Sequence, residues 1–276
     1  MAAAPESLAG AQDQINHEFW ARGGYIKDYT HRVLHPAEVL LLVRYREQLS
    51  GRTLEIGCGA GRILGYLIAL GGESHGVDIS PEMVEYCHRV WPEASVRTGD
   101  LTALGEVTDG VFDALFAADN VLDVLSLEPR RAALAAWREL LAPGGVLIFS
   151  SHNLAAADPD RRLRAPAAGN ALVARLRRAL HHTPAWMLQA VLRLRLRAAN
   201  RRRLAPLTSR ADDHAVLNDL AHDFSLLHFY VQRDAQERML NELGYELLEC
   251  LQLDGHPVPA GAEAHGPSLY YVARAR

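Results

Sequence analysis

The sequence is poor in lysine, in cysteine and in long apolar runs. Lys27 is its single lysine, so arginine carries almost all of the positive charge. The three cysteines, Cys58, Cys87 and Cys250, are too widely spaced for a disulfide framework or a zinc site, so we expect a reducing cytoplasm and no metal. The sequence contains no run of about 18 apolar residues, so no membrane span is predicted. The first ten residues lack the basic and apolar regions of an export signal.

Positive charge is concentrated in one part of the chain. Residues 161–203 contain 12 arginines and no acidic residue, whereas the rest of the sequence has 17 basic and 33 acidic residues. Such segregation indicates that a segment has its own partner or its own task. With 276 residues, 49% of them hydrophobic, the chain is long enough for one large core and a small accessory region.

The sequence pattern changes near residue 50. Residues 1–50 are predicted to form an N-terminal helical cap. From residue 51, short apolar strands alternate with helical patterns, which is typical of a parallel sheet. Seven strands are predicted, at residues 53–56, 74–77, around 96, 112–116, 146–150, 245–252 and 269–273. The alternation stops at about 154–222, which we treat as an insertion in a domain of residues 51–276.

The strongest local pattern is a glycine-rich turn at residues 54–61, Leu-Glu-Ile-Gly-Cys-Gly-Ala-Gly. A buried strand leads into three alternate glycines and then into a helix. Glycine tolerates positive φ and lets a ligand approach the backbone, while the helix start offers free N–H groups. Such turns hold nucleotide-like ligands at the carboxyl end of a sheet. The dinucleotide fingerprint is not met, because Arg62 stands where it requires glycine or alanine.

The spacing Glu-x-Gly-x-Gly-x-Gly resembles that of the class I methyltransferases, which use S-adenosylmethionine. The resemblance covers residues 51–150 well and 233–276 fairly, where the last two strands match the family's antiparallel hairpin. It implies an α/β fold: a doubly wound, seven-stranded, mostly parallel sheet with that hairpin, the helical cap and a helical, arginine-rich insertion. It also implies that the methionine part of the cofactor is wrapped by Glu55, Gly57, Cys58, Gly59 and Gly61. An ordinary strand–helix turn is the alternative interpretation.

Two aspartates extend the predicted cofactor site, together with their neighbours Ile79 and Leu101. Asp78 ends the second strand, 21 residues after Gly57, where an acid can accept hydrogen bonds from both ribose hydroxyls. Its alternative role is that of an acid at a helix start. The resemblance places Asp100 against the adenine amino group, and a simple turn aspartate is the alternative.

The methyl acceptor should meet the cofactor near the ends of the fourth and fifth strands. Methyl transfer is an in-line displacement that needs alignment and exclusion of water. Asp119 and Asn120 follow the fourth strand and could hold the acceptor or the cofactor, the alternative for Asp119 being a helix N-cap. His152 follows the fifth strand and is the first choice for a general base. A histidine that only hydrogen-bonds the backbone is the alternative.

Three further side chains are candidates although they lie outside these motifs. His228 and Tyr230 share one face of an extended segment, so they could line the acceptor pocket or pack at a sheet edge. Tyr25 belongs to an aromatic cluster at residues 19–29. In proteins of the resembled family, such a segment folds over the cofactor as a lid, and a helix packed on the sheet is the alternative.

The sequence leaves several interpretations of the insertion open. Residues 170–181 and 184–204 are predicted to be helical, although leucines and arginines alternate at 192–197 with a period nearer two. The segment could be a cationic lid over an anionic or lipid-like acceptor, a membrane-surface contact through residues 161–203, or a nucleic-acid contact. It could also be a cap whose arginines pair with the acidic body of this chain or of a second subunit. Nucleic acid is the least favoured partner, because the acidic remainder repels phosphates.

The leading functional prediction is S-adenosylmethionine-dependent methyl transfer to an oxygen or nitrogen of a small-molecule metabolite, in a specialised biosynthetic pathway. A peptide or protein acceptor held by the insertion is the second prediction, and RNA is a weaker third. A non-catalytic, cofactor-binding assembly subunit is the alternative from another class, and a dinucleotide oxidoreductase is the remaining rival. The sequence identifies neither the acceptor nor the oligomeric state.

Overall fold

The chain folds around one sheet that is parallel over most of its width. The computed structural model describes residues 8–30, 33–157 and 184–276. Its strands are β1 Arg52–Ile56, β2 Glu73–Asp78, β3 Ser95–Thr98, β4 Phe112–Ala117, β5 Leu141–Asn153, β6 Ser209–Arg210, β7 His214–Leu217, β8 His228–Val231, β9 Tyr245–Gln252 and β10 Ser268–Ala275. Its helices are α1 Leu8–Ala21, α2 Ile26–Tyr29, α3 Pro36–Arg44, α4 Arg46–Leu49, α5 Leu64–Ala69, α6 Pro81–Val90, α7 Leu127–Glu139, α8 Pro184–Leu204 and α9 Arg233–Glu242.

The strand order is that of a doubly wound sheet with an added antiparallel hairpin. The strands run β3-β2-β1-β4-β5-β8-β7-β6, and strands β1 to β5 pair in parallel. On the other edge of β5, β10 runs antiparallel and pairs in turn with β9. The predicted α/β class, the mostly parallel sheet and the hairpin are therefore confirmed. The order reverses between β1 and β4, and ligands of such sheets bind at the carboxyl ends beside this switch point.

The described residues form ten strands, three more than predicted. The additional strands β6, β7 and β8 have only two, four and four residues, too few for a periodic pattern to be recognised. They continue the sheet in the order β8-β7-β6, beside the carboxyl end of β5. There β5 continues beyond β4, and its residue His152 pairs with Tyr230 of β8 and with Ser268 of β10. The part of the chain treated as an insertion thus contributes strands to the same sheet.

Proline and glycine set the ends of several helices. Pro36 and Pro81 occupy the first turns of α3 and α6, as predicted. Gly244 follows the C-cap of α9 with φ +82°, also as predicted. The predicted helix at 184–204 corresponds to α8. The predicted helix at 170–181 lies outside the described residues.

Helix α8 is joined to the body of the protein mainly by polar contacts. Arg193 and Arg197 each donate from Nε to the carboxylate of Asp223, at 2.9 and 2.7 Å. The side-chain amide of Asn200 donates to the Asp223 carbonyl at 3.0 Å. Such contacts fit the interpretation in which the arginines pair with acidic residues of the same chain. Neither α8 nor another helix in the described parts of the chain has the length and apolar character of a membrane span.

Apolar side chains pack on both faces of the sheet. On one face α7 buries Leu134 and Trp137, and the Trp137 indole N–H donates to the carbonyl of Leu101 at 2.9 Å. On the other face α3 and α5 bury Leu41 and Leu67. Complete burial of such a side chain is worth about 1.5–3 kcal/mol. The two layers fix the strands and leave their carboxyl ends available for a site.

Candidate active site

A cleft opens at the carboxyl ends of the parallel strands, where the strand order reverses. It measures about 1310 Å³ with its open mouth included, and α1 and α2 form one of its walls. Ten of the residues predicted to bind a cofactor line the cleft: Tyr25, Glu55, Gly57, Cys58, Gly59, Asp78, Ile79, Asp100, Leu101 and Asp119. The acceptor-side candidates His152 and His228 line the same cleft. The structure thus brings most of the predicted site residues to one place.

The glycine-rich turn needs glycine at two positions for different reasons. Gly57 has φ +67°, and a Cβ there would lie 2.3 Å from Cγ2 of Val121. Gly61 has φ +76°, but it lies outside the cleft, and a Cβ there would lie 2.5 Å from the Trp91 indole nitrogen. Gly57 therefore lets the turn pack closely against Val121, in the segment after β4. Gly61 lets α6 and the residue that follows it pack against the turn, so its predicted contact with the cofactor stays a prediction.

Asp78 holds the turn in place from the end of β2. Its carboxylate accepts hydrogen bonds from the backbone N–H groups of Gly59 at 2.8 Å and of Ser80 at 2.9 Å. Burial raises the pKa of Asp78, although these two N–H groups act in the opposite direction. The bond to Ser80 is that of an acid at a helix start, which was the alternative interpretation. Because Asp78 also lines the cleft, the two roles are compatible.

Glu55 is a buried acid without a complete set of partners. Its side chain is at the end of β1, 3% exposed, and the described residues give its buried Oε2 no hydrogen bond. Burial raises the pKa of Glu55 well above its ordinary value, and the nearby Arg62 guanidinium only partly opposes this. An unpaired buried carboxylate oxygen costs about 1–3 kcal/mol or more, so a donor from a ligand would be favoured here.

The Asp100 carboxylate combines a turn role with a place in the cleft wall. Its Oδ1 accepts hydrogen bonds from the backbone N–H and the hydroxyl of Thr102, at 2.8 and 2.7 Å. His17 of α1 lies 3.6 Å from its other oxygen. The turn interpretation and the binding interpretation of Asp100 are therefore compatible as well.

Aromatic side chains of α1 and the residues after it form the outer wall of the cleft. Tyr25 stacks on Phe19 with ring centroids 4.6 Å apart, and Trp20 lies edge-on to His222 at 5.0 Å. Asn16 fixes α1 to the segments that follow β4 and precede β8, because its amide donates to the carbonyls of Val124 at 2.7 Å and Leu227 at 2.6 Å. The position agrees with the predicted lid, whose role in covering a cofactor stays a prediction.

The chain makes an uncommon turn immediately after β4, in the acceptor half of the cleft. Asp119 and Asn120 both have left-handed backbones, with φ of 52° and 58°. Asn120 is itself the N-cap of the short helical turn that follows, so Asp119 is not the N-cap. The Asn120 backbone N–H donates to Ser150 Oγ at 2.7 Å, and Asp119 lies 3.3 Å from the Arg62 guanidinium. Residues held in this region cost about 1–3 kcal/mol each and cluster at functional sites.

His152 is held in place by a carboxylate that sequence reasoning missed. Asp123 Oδ2 accepts hydrogen bonds from the His152 backbone N–H at 2.6 Å and from its Nδ1 at 2.7 Å. The other oxygen of Asp123 accepts from Arg130 at 2.5 Å and from Ser151 Oγ at 2.7 Å. Asp123 and Arg130 are fully buried. Burial acts to raise the pKa of Asp123, but Arg130 and His152 outweigh it, and the net pKa is lowered.

The opposite nitrogen of His152 lies beside Asn120, which is another residue of the cleft wall. Its Nε2 lies 3.2 Å from the Asn120 side-chain amide, which also donates to Ser268 Oγ at 3.0 Å. With the Nδ1 proton directed at Asp123, Nε2 carries the lone pair. The signal that could have revealed Asp123 is an isolated acid inside the apolar run Val-Leu-Asp-Val-Leu at 121–125. An acid in such a run is buried and must be paired.

His228 forms a second imidazole–carboxylate pair beside the first. Its Nδ1 lies 3.0 Å from Oδ2 of Asp219, which also accepts a hydrogen bond from the Tyr230 hydroxyl at 2.8 Å. Burial acts to lower the pKa of His228, but the Asp219 carboxylate outweighs it and raises this pKa. The Tyr230 ring stacks on His152 at 4.7 Å, and its hydroxyl is turned towards Asp219. The predicted catalytic role of Tyr230 stays a prediction.

The same cluster contains side chains of the types that bind metal ions. One ligand atom each of His152, Asp219 and His228 lies within 4.8 Å of the other two. Two imidazoles and a carboxylate are a common ligand set for zinc and iron. However, the hydrogen bonds already described account for this closeness, because His228 and Asp219 form a pair and His152 is paired with Asp123.

The sequence of the core matches a known domain. Residues 53–145 match the family model of the methyltransferase domain. The chain is 25% identical over 142 residues to the ubiquinone biosynthesis O-methyltransferase of Methylococcus capsulatus, covering 50% of this chain and 57% of that protein. It is 28% identical over 124 residues to the dTDP-3-amino-3,4,6-trideoxy-alpha-D-glucopyranose N,N-dimethyltransferase of Streptomyces venezuelae, covering 44% and 50%. The matches thus span between half and three fifths of these curated relatives.

Solved structures share the fold over most of the chain. The CcbJ methyltransferase of Streptomyces caelestis is 19% identical, with a TM-score of 0.54 over 87% of this chain and 89% of that one. The glycopeptide N-methyltransferase MtfA, complexed with sinefungin, is 14% identical, with a TM-score of 0.54 over 89% and 96%. Residues 53–145 thus match a methyltransferase domain, and these structures share the class I methyltransferase fold of the chain. The predicted family and the predicted cofactor, S-adenosylmethionine, are thereby confirmed.

Three features of this methyltransferase domain fit the polar parts of the cofactor. The unpaired Oε2 of Glu55 suits a donor such as an ammonium group. The carboxylate of Asp78, ordered by two backbone N–H groups, lies in the cleft wall at the strand end where ribose hydroxyls are bound. Gly57 and Gly59 have positive φ and carry no Cβ, so a ligand can approach the backbone of the turn at these two positions. The assignment of each residue to a particular part of the cofactor stays a prediction.

Proposed function

We propose that this protein transfers a methyl group from S-adenosylmethionine to a hydroxyl or amino group of a small molecule. One observation carries the proposal: Glu55, Asp78 and His152, which is bonded to the buried Asp123, line a single cleft. The names of the similar proteins, an O-methyltransferase of ubiquinone biosynthesis and an N,N-dimethyltransferase of an amino sugar nucleotide, support a small-molecule acceptor.

The cofactor half of the cleft would bind and orient the methyl donor. S-adenosylmethionine supplies an electrophilic methyl group on a positively charged sulfur. We assign Glu55 to the amino group of its methionine part, Asp78 to the ribose hydroxyls, and Asp100 and Leu101 to the adenine. Each carboxylate gains a charge-assisted or neutral hydrogen bond worth about 1–3 kcal/mol.

The acceptor half would align the nucleophile and take its proton. We assign His152 Nε2 as the base, because Nδ1 is bonded to Asp123 at 2.7 Å and the lone pair is therefore on Nε2. An acceptor hydroxyl would take the place of the Asn120 amide, which lies 3.2 Å from this nitrogen. When the proton arrives, the Asp123 carboxylate stabilises the imidazolium that forms. Arg130 keeps this carboxylate ionised and in place. A positioned base of this kind contributes about 10²–10⁴ in rate.

The aromatic wall formed by α1 and the loop after it would exclude water from the transfer. Tyr25, which stacks on Phe19, lines the cleft, and Asn16 ties α1 to the carbonyls of Val124 and Leu227. Exclusion of water strengthens the electrostatic contacts inside a site and prevents competing reactions. This part of the proposal predicts that the cofactor orders residues 19–29.

The experiment that tests the function uses S-adenosylmethionine labelled in its methyl group. Purified protein is incubated with cell extract divided into small-molecule, lipid, peptide and nucleic-acid pools. We expect label in the small-molecule pool, a loss of about 10²–10⁴ in rate with His152→Ala, and no loss with the exposed control His256→Ala. Label in the peptide pool would support the protein-acceptor alternative. No label in any pool, with S-adenosylhomocysteine bound, would contradict the proposal and support a non-catalytic binding subunit.

A further inference from the structure

Helix α8 is held to the body of the protein along one side only. Arg193, Arg197 and Asn200 all bond to one residue of the body, Asp223. The side chain of Leu204, at the end of the helix, is fully buried. These four helix positions follow one another at spacings of four, three and four residues, so they lie on one side of α8. The opposite side, which we call the outward face, points away from these contacts.

The outward face carries a row of exposed aliphatic side chains. Leu188, Leu192 and Leu196 recur at every fourth residue, and their exposed fractions are 60%, 53% and 50%. Val191 and Leu194 lie beside this row and are 46% and 61% exposed. Single exposed aliphatic residues are ordinary on a protein surface, but a contiguous exposed patch marks a site of interaction. Five such side chains within two to three helical turns form a patch of this kind.

Three arginines belong to the same outward face. Arg195 follows Leu188 by about two helical turns, and Arg202 and Arg203 follow it by about four turns. All three arginines are exposed, and the described residues give them no ion pair, in contrast to Arg193 and Arg197. The outward face is therefore complementary to a partner that offers negative charge and apolar surface together.

We propose that the outward face of α8 binds the surface of a membrane that contains anionic lipids. Such a surface has phosphates at the level of the headgroups and acyl chains directly below them. The aliphatic stem of an arginine can lie against apolar surface while its guanidinium group reaches a phosphate. The helix would lie in the plane of the membrane, because no helix in the described parts of the chain is long and apolar enough to cross it. The inference goes beyond the proposed function and does not depend on it.

The distribution of charge over the chain favours one orientation on such a surface. Residues 161–203 contain 12 arginines and no acidic residue, whereas the remainder has 17 basic and 33 acidic residues. Anionic lipids attract the first part and repel the second, so α8 would face the membrane and the acidic body would face away. The contacts with Asp223 lie on the other side of the helix, so binding would leave them intact.

Two other occupants fit the outward face less well. A second copy of α8 would bring the unpaired arginines of both helices close together, and like charges repel. Nucleic acid would supply phosphates, but phosphate contacts give no burial to the aliphatic row. An anionic membrane surface engages both the leucines and the arginines.

The test measures cosedimentation of the full chain with lipid vesicles at low salt. We expect binding to vesicles of phosphatidylglycerol and phosphatidylcholine in equal parts, little binding to phosphatidylcholine alone, and weaker binding as salt is added. Arg195→Gln/Arg202→Gln/Arg203→Gln should lower the affinity about 100-fold, since each arginine at such a surface contributes about fivefold. Leu192→Gln/Leu196→Gln should lower it about tenfold or more, because their aliphatic surface no longer enters the acyl region.

Matched control variants make the same changes on exposed surface elsewhere in the chain. They are Arg46→Gln/Arg89→Gln/Arg274→Gln for the charge and Val39→Gln/Val43→Gln on α3 for the apolar surface. Both controls should bind vesicles within about threefold of the wild type, because charges beyond a Debye length are screened. All the substituted side chains are exposed, so we expect the urea midpoint and the S-adenosylhomocysteine affinity to stay at their wild-type values in every variant.

Several results would overturn the inference and leave the proposed function intact. They are absence of binding to the anionic vesicles, equal binding to phosphatidylcholine alone, and equal weakening by the α8 variants and their controls. Self-association in sedimentation velocity that Leu192→Gln/Leu196→Gln abolishes, without vesicle binding, would identify a second copy as the occupant. Binding of duplex RNA that the arginine variant abolishes and the leucine variant leaves unchanged, again without vesicle binding, would identify nucleic acid.

Discussion

Asp123→Asn tests the assignment of His152 most severely, because every hydrogen bond of this carboxylate is defined. Four hydrogen bonds reach it, from Arg130, from Ser151 and from the backbone and Nδ1 of His152. An asparagine has one oxygen for these four donors and adds an N–H₂ group of its own. If its oxygen faces His152, its amide meets Arg130. If the side-chain amide is rotated the other way, its N–H₂ group donates to His152 Nδ1. This favours the tautomer in which Nε2 carries the proton and cannot act as a base.

The cost of this substitution has two separable parts. Loss of the counter-charge leaves the fully buried Arg130 guanidinium uncompensated, which costs about 3–5 kcal/mol of unfolding free energy. Gln236 accepts from Arg130 at 2.7 Å and the Phe229 ring lies 4.9 Å from it, so we expect the lower end of that range. The rate of methyl transfer should fall by about 10²–10⁴ because the base is lost.

A second substitution separates stability from catalysis. In Asp123→Asn/Arg130→Met the buried charge is absent, so we expect much of the unfolding free energy to return while the rate stays low. Stability is measured by urea denaturation, the rate by methyl-label transfer, and S-adenosylhomocysteine affinity by calorimetry as a check on the cofactor half. If Asp123→Asn unfolds at the wild-type midpoint and transfers methyl groups within threefold of the wild-type rate, the reasoning is refuted.

Three further predictions concern the cofactor turn and the second imidazole. Asp78→Ala should weaken S-adenosylhomocysteine binding by about 1–3 kcal/mol in calorimetry, and unchanged affinity would remove this carboxylate from the site. Gly57→Ala should destabilise the protein more than Gly144→Ala in urea denaturation: both glycines have positive φ, but only at Gly57 would a Cβ meet other atoms within 4 Å. The stabilising pair His228–Asp219 should weaken towards alkaline pH. The pKa of His228 is raised in the folded state. The histidine therefore contributes its full stabilisation below its unfolded-state pKa of about 6.5 and loses it as the pH rises through its folded-state pKa. The pKa of Asp219 is lowered in the folded state. Its contribution to stability is therefore lost only in acid, as the pH falls from its unfolded-state pKa of about 3.9 through its folded-state pKa. The difference in unfolding free energy between wild type and His228→Leu should therefore shrink from pH 6 to pH 9, and a constant difference would show that the pair does not contribute charge-dependent stability.

The cofactor half of the site could be predicted from the sequence because its residues lie in local patterns. The glycine-rich turn and Asp78 follow strands that are apolar and long enough to be recognised, and the chain order places both at the same edge of the sheet. The helix starts at Pro36 and Pro81 follow from the fixed φ of proline. Such features depend on neighbours within a few residues.

The acceptor half could be predicted only in part, because it depends on contacts between distant segments. His152 was identified from its position after a strand, but its partner Asp123 lies 29 residues earlier in a short helical turn. For His228 the sequence could not decide between the acceptor pocket and packing at a sheet edge. The reason is that β8 is only four residues long and pairs with β5, which is far away in sequence. Its carboxylate Asp219 gave no signal in the sequence. Long-range pairing of this kind is set by the tertiary fold and not by local periodicity.

The central claim, that one cleft binds S-adenosylmethionine and deprotonates an acceptor at His152, is tested most directly by comparing Asp78→Ala with His152→Ala in methyl-label transfer at increasing cofactor concentration. The account predicts that Asp78→Ala recovers most of the wild-type rate when the cofactor is saturating, because its defect is in binding. His152→Ala should bind S-adenosylhomocysteine normally and remain slower by about 10²–10⁴ at every concentration. Wild-type rates in both variants, or the same concentration-dependent defect in both, would contradict the claim.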